Sequence, residues 1–136
     1  MFKSETNIRV RYAETDQMGY VYYGNYAAYY EVARVEALRQ MGLSYKMFED
    51  NGIMMPVLNL QCKYLKPARY DDLLTIKTEI RELPSLRLQF YHEVYNEVGV
   101  LLNQGEVTLV NIDMKTQRPC KSPAILTETL LPYFNS

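Results

Sequence analysis

The sequence predicts an α+β domain: one long helix near the N-terminus and a five-stranded, mostly antiparallel sheet. Three observations predict it. Apolar residues recur at helical spacing in one stretch, between Tyr26 and Met41. One strand-like alternation precedes that stretch, and four strand-like segments joined by short turns follow it, which favours antiparallel pairing. The 136 residues, with no internal repeat, linker or low-complexity segment, make one domain with one core.

The elements follow in order. Ile8, Val10 and Tyr12 alternate with Asn7, Arg9 and Arg11, which predicts a half-exposed strand over 6–12. Residues 13–24 are irregular, broken by Asp16, Gly19 and Gly24. Asn25 is placed to cap the helix. Its stripe is Tyr26, Tyr29, Tyr30, Ala33, Ala37, Leu38 and Met41, with Glu31, Arg34, Glu36, Arg39 and Gln40 off it, and Gly42 as its C′ residue. A shorter helix over 44–51 stops at Gly52. Strands follow at 57–64, 74–80, 86–95 and 100–112. The stretch 65–72 interrupts the first two, with Asp71-Asp72 as a turn rather than paired acids. Leu83-Pro84-Ser85 and Asn96 to Gly99 turn the others. Pro119 and Pro123 end the sheet, and 124–134 reads as a C-terminal helix. One helix covers one sheet face only, so the other face calls for the C-terminal helix or a partner subunit, which favours a homo-oligomer.

Composition excludes several function classes. A formal net charge of −1 argues against a nucleic-acid binder. Two cysteines, Cys62 and Cys120, in no CxxC pair, and the single His92 are too few for a zinc site, so no metal is expected. A disulfide between the two stays open, although nothing points to secretion. The first residues hold no apolar leader, and no apolar run reaches the roughly 20 residues of a membrane span. A soluble, cytoplasmic protein is expected. Thirteen tyrosines and no tryptophan, with many between Tyr12 and Tyr30, mark where a substrate pocket would lie.

The chemistry concentrates in residues 11–26, Arg-Tyr-Ala-Glu-Thr-Asp-Gln-Met-Gly-Tyr-Val-Tyr-Tyr-Gly-Asn-Tyr. An acid, a glycine turn and an aromatic run lead straight into a helix N-terminus. Free N–H groups and partial positive charge there polarise a carbonyl. A carboxylate beside it can attack an acyl carbon or activate water.

Glu14-Thr15-Asp16, Gly19, the run Val21 to Tyr26, Glu31, Ala33 and Arg34 resemble the signature of the 4-hydroxybenzoyl-CoA thioesterase family, shared by the acyl-CoA thioesterases found with the Tol-Pal genes. Pro56-Val57, Tyr64, Pro67-Ala68 and Asp71-Asp72-Leu73-Leu74 extend the resemblance, which spans about 8–112. It implies a hotdog fold, a sheet wrapped around the long helix, in homodimers with active sites at the interface, or homotetramers of such dimers. It implies acyl-CoA as substrate, water as co-substrate and no cofactor. Asp16 falls on the family's catalytic aspartate, as nucleophile or general base. The Tyr23 backbone N–H, next to Gly24, matches the position that holds the thioester carbonyl. Many Tol-Pal-associated members carry histidine where this chain has Tyr23; the 4-hydroxybenzoyl-CoA enzyme carries tyrosine. Met18-Gly19-Tyr20 departs from a commoner small-residue run and would reshape the acyl pocket. Arg87 and Arg118, with Lys121, are the candidates for CoA phosphates.

Each has a plainer reading. Asp16 can cap a turn, Tyr23 can be packing, Glu31 an exposed charge, and the three basic residues scattered surface cations. Glu31 is a second candidate acid, since some other hotdog thioesterases use a helix glutamate. His92 reads as a cross-strand surface residue. The competing functions are an acyl-CoA or acyl-carrier-protein binding module without turnover, and a hydratase, for which His92 is badly placed.

Overall fold

The computed structural model describes residues 1–135. Its elements are β1 (Phe2–Arg9), α1 (Asn25–Gln40), α2 (Tyr45–Asp50), β2 (Ile53–Met54), β3 (Val57–Tyr64), β4 (Leu73–Ile80), β5 (Arg87–Tyr95), β6 (Leu101–Val110), β7 (Ile112–Asp113), β8 (Arg118–Pro119) and α3 (Ala124–Leu130). Five strands form one antiparallel sheet in the order β1-β4-β5-β6-β3; β2, β7 and β8 form a small second sheet. The class is α+β, with three α-helices of 16, 6 and 7 residues.

The inner face of the large sheet is apolar because the strands alternate. Leu74, Ile76 and Ile80 of β4, Leu88, Phe90 and Val94 of β5, and Val107 and Leu109 of β6 are buried. Helix α1 closes this face with Tyr26, Tyr29, Tyr30, Ala33, Ala37 and Leu38. Gly42, at φ 77°, ends the helix where a left-handed residue is needed. Ser44 caps α2 by accepting from the Met47 N–H at 3.2 Å.

Five expectations are corrected, the last of them His92. The first strand runs over 2–9 rather than 6–12. Phe2 is buried edge-on against Tyr133, and the ladder with β4 ends where the Asp71 N–H donates to the Val10 carbonyl and Tyr12–Glu14 form a 3-10 turn. The last long strand stops at Val110. The buried Asn111 turns aside to donate to the Ser85 carbonyl, and the chain resumes as β7. Pro119 does not end the strands but pairs in β8, an edge position that tolerates its missing donor. Arg34, expected off the helix stripe, is 6% exposed, with no hydrogen bond at Nε or Nη1. It stands four residues from both Tyr30 and Leu38, so the helix period puts it on the buried stripe.

His92 is the largest departure. It is 2% exposed, not a surface residue. Leu88, Phe90, His92 and Val94 share the inward phase of β5, so the alternation carries the imidazole into the core. Its Nδ1 lies 2.9 Å from Thr78 Oγ1, and its ring lies parallel to those of Tyr30 and Phe90. Burial, helped by the Arg34 charge, lowers its pKa to about 3 from an ordinary 6.5. Unfolded, the imidazole takes up a proton near 6.5; folded, it does so only near 3. Between those values the unfolded chain binds more protons, so stability rises with pH. Stability is therefore expected to fall by about 2 kcal/mol more in the native protein than in a His92→Phe variant between pH 6.5 and 5. Denaturant titrations at the two pH values read this; equal falls would show that His92 contributes no such dependence.

His92 belongs to a polar row crossing the inner face. Ser4, Thr78, His92, Gly105 and Cys62 stand in register on five successive strands. Tyr30 of α1 lies over Gly105, and its hydroxyl donates to Asn103 Oδ1. The Asn103 amide in turn donates to Cys62 Sγ at 3.2 Å. Both Cys62 and Cys120 are free thiols.

Candidate active site

The loop between β1 and α1 is held at three points. Thr15 bridges to Val21, Tyr20 bridges to Arg69, and the Val21 N–H donates to the Ala68 carbonyl at 2.8 Å. Its tip is a turn in which the Gly19 N–H donates to the Asp16 carbonyl at 3.0 Å. Gly19 has φ 79°, which a side-chain-bearing residue adopts only under strain. Asp16 Oδ1 accepts from the Met18 and Tyr20 N–H groups at 2.9 and 3.1 Å. This is the Asx geometry of a turn-forming aspartate. It occupies one carboxylate oxygen; among the described residues Oδ2 accepts no hydrogen bond. The turn-forming role and a free reactive oxygen therefore coexist in one half-buried side chain.

Glu14 fastens the loop to the helix. Its Oε1 accepts from the Arg11 N–H at 2.8 Å and the Tyr29 hydroxyl at 3.0 Å, and its Oε2 from the Arg11 guanidinium at 3.2 Å. Burial alone would raise its pKa; these hydrogen bonds and the Arg11 charge bring it below the ordinary value. The Glu14 carbonyl also accepts from the Tyr22 N–H and from Asn25 Nδ2, at 2.9 and 2.7 Å. Asn25 is thus not the cap. Gly24 occupies that position, and the Asn25 side chain ties the helix start back to the acid-bearing loop. Sequence reasoning missed this tie and the Glu14–Tyr29 bond, because both depend on a loop folding back across 11 to 15 residues.

The N–H groups of Tyr23 and Gly24, at the start of α1, make no hydrogen bond among the described residues; those of Asn25 and Tyr26 donate to the Tyr22 and Tyr23 carbonyls. A Cβ at Gly24 would stand 2.7 Å from the Tyr22 ring, an exposed side chain with room to swing aside. Tyr23 is 63% exposed, stands beside Tyr22 and Tyr64, and accepts at its carbonyl from the Tyr64 hydroxyl at 3.1 Å. Tyr26 and Tyr64 pack edge-on, and burial, the first cause for each, pushes both hydroxyls up to about 12. These tyrosines border β3, an edge strand with Val57, Leu58 and Tyr64 about half exposed.

Met18 and Gly19 lie on the Asp16 turn, exposed; Tyr23 and Gly24 follow at the helix start, also exposed, and the bonds of the Glu14 carbonyl to Tyr22 and Asn25 link the two segments. Arg87 and Arg118 are elsewhere. Arg87 begins β5, whose other end, Tyr95, pairs with Thr75 beside the loop, roughly 25 Å away by strand rise. Arg118 pairs with Asp113 in the small sheet. Glu31 is exposed on α1. A surface depression on the outer sheet face is lined by Lys77, Tyr91 and Gln104 and does not include Asp16. Among the described residues no three His, Cys, Asp or Glu side chains gather as metal ligands.

Residues 10–130 match the family model described as the thioesterase-like superfamily. The chain is 36% identical over 116 residues to the acyl-CoA thioester hydrolase YbgC of Escherichia coli, covering 85% of this chain and 87% of that one. A 1,4-dihydroxy-2-naphthoyl-CoA hydrolase of Thermosynechococcus vestitus is 29% identical over 84% of this chain and 80% of its own length. The solved DHNA-CoA thioesterase of Staphylococcus aureus superposes with a TM-score of 0.84 at 37% identity, over 98% of this chain and 85% of that one. Such neighbours share the hotdog architecture. This protein belongs to the thioesterase-like superfamily, as a thioester hydrolase.

Proposed function

We propose that the protein hydrolyses acyl-CoA thioesters to a free acid and CoA, with Asp16 as its reacting carboxylate. One observation carries the reading: an acid with an unengaged oxygen is tied, through Glu14 and Asn25, to a helix start with two unengaged N–H donors. A thioester carbonyl held by the Tyr23 N–H would gain negative charge where that donor and the helix dipole stabilise it. Asp16 then either takes a proton from the attacking water or attacks the acyl carbon to form an anhydride that water opens. Either way the C–S bond breaks, CoA leaves as the thiol, and the acyl carbon ends as a free acid whose new oxygen comes from water directly or, if water opens the anhydride at the aspartyl carbon, from Asp16, which water then replenishes. The relatives' names support the acyl-CoA class, and the narrower resemblance to the 4-hydroxybenzoyl-CoA branch rests on Tyr23.

The proposal includes a homodimer, or a homotetramer of two such dimers. An exposed, apolar edge strand with an unpaired backbone edge is an association site, and β3 is one, next to the tyrosines of the site. Among the described residues no helix is long and apolar enough to cross a membrane; a cytoplasmic setting is part of the proposal.

A panel of aromatic, short-chain and medium-chain acyl-CoA thioesters, read by thiol release, tests the activity. Release from at least one at an enzymatic rate is expected; release from none would leave a binding module. Leu58→Asp on β3 is expected to lower the mass in sedimentation to that of a monomer and turnover by at least about tenfold. An unchanged mass would remove β3 from the interface.

A further inference from the structure

The cations that sequence reasoning assigned to CoA phosphates lie at the far end of the sheet within one chain, which raises the question of what lies near Asp16. The turn before β4 supplies an answer. Arg69 pairs by its backbone with Tyr20, whose N–H donates to Asp16 Oδ1. The Arg69 guanidinium stands 5.0 Å from the centroid of the Tyr20 ring and, among the described residues, makes no ion pair. Its neighbour Tyr70 meets Tyr12 edge-on, with ring centroids 5.7 Å apart. Those rings are 56% and 78% exposed, far more than their size and apolarity favour for isolated packing. Lys66, on the same turn, is exposed and also unpaired among the described residues.

An unpaired guanidinium over one tyrosine ring, on a turn whose next residue carries an exposed ring, offers the two groups a nucleotide needs: a cation for phosphate and a ring for the base. We propose that Arg69, with Lys66, binds the phosphates of the CoA nucleotide, and that Tyr12, the more exposed of the two rings, stacks on its adenine with Tyr70 at a steep angle beside it. This rests on the acyl-CoA reading of the Asp16 site. The pantetheine arm then runs from the Asp16 turn, across Tyr20, to the 65–72 turn of the same chain. The site needs no residue from the Arg87 and Arg118 end of the sheet.

The test compares an acyl-CoA with the same acyl group on N-acetylcysteamine, which lacks the nucleotide. Arg69→Gln keeps a polar side chain and leaves the backbone bonds of the turn in place. It is expected to raise KM for the acyl-CoA about tenfold more than for the truncated thioester, and Tyr12→Leu about threefold more. Calorimetric titration with free CoA and with pantetheine reads the same selectivity without turnover: Arg69→Gln weakens CoA about tenfold relative to pantetheine. If hydrolysis is absent yet this shift in CoA binding is present, the activity fails and the nucleotide site stands. Equal effects on both ligands, or an effect of Arg87→Gln and none of Arg69→Gln, would overturn the site.

Discussion

Asp16→Asn is expected to lower kcat about a thousandfold while the protein keeps its fold, its oligomeric state and its affinity for CoA. The choice of asparagine follows from the turn. Oδ1 accepts from the Met18 and Tyr20 N–H groups, and an amide oxygen can accept from both, without the carboxylate's charge assistance. What asparagine removes is the negative charge and the basic, nucleophilic Oδ2. Alanine would remove the Asx hydrogen bonds as well and loosen the Gly19 turn, so its loss of turnover would mix chemistry with geometry. The pair separates the two roles of Asp16: unfolding measurements should place Asp16→Ala about 1–2 kcal/mol below Asp16→Asn in stability, with turnover low in both. A variant Asp16→Asn that hydrolyses a good substrate at the native rate would show the aspartate to be a turn residue only.

The second large effect is expected away from the site. Gly105→Ala should destabilise the protein by about 3 kcal/mol. A Cβ there would run into the Tyr30 ring. A surface tyrosine would swing aside. Tyr30 cannot, because it is fully buried, lies flat on His92 with centroids 4.8 Å apart, and donates to Asn103. Relief requires α1 to lift, and α1 carries the Tyr23 and Gly24 donors at its start. Turnover should therefore fall with stability. Tyr30→Leu in the same chain should recover part of the loss, so the two substitutions should not add. Strict additivity in denaturant titrations would show that the close approach is relieved elsewhere.

The long, regular elements were legible because their periodicity is strong. Strand β3 was read residue for residue, and the ends of α1 and α2 lie within one or two residues of the glycines and caps that mark them. The loop from Asp16 to Gly24 was legible as a motif but not as a geometry. Its shape depends on bonds such as Asn25 to Glu14 and Tyr20 to Arg69, which join residues far apart in sequence. His92 and Arg34 were misplaced for a related reason. A polar residue in an apolar phase reads as surface until a neighbouring strand or helix is seen to cover it. The alternation of Leu88 and Phe90 already pointed His92 inward, and the residue type overrode that signal. Phe2 was missed because its partner, Tyr133, lies at the other end of the chain.

Catalysis in this scheme depends on a thioester lying between the Asp16 carboxylate and the start of α1. The most direct measurement is a crystal structure of the Asp16→Asn variant with an intact acyl-CoA bound. The thioester carbonyl oxygen is predicted to lie within hydrogen-bonding distance of the Tyr23 or Gly24 N–H. The acyl carbon is predicted to face the substituted amide at position 16 across a groove shared by two copies. An acyl-CoA bound with its thioester elsewhere, or the side chain at position 16 turned to open solvent in the assembled protein, would contradict the scheme.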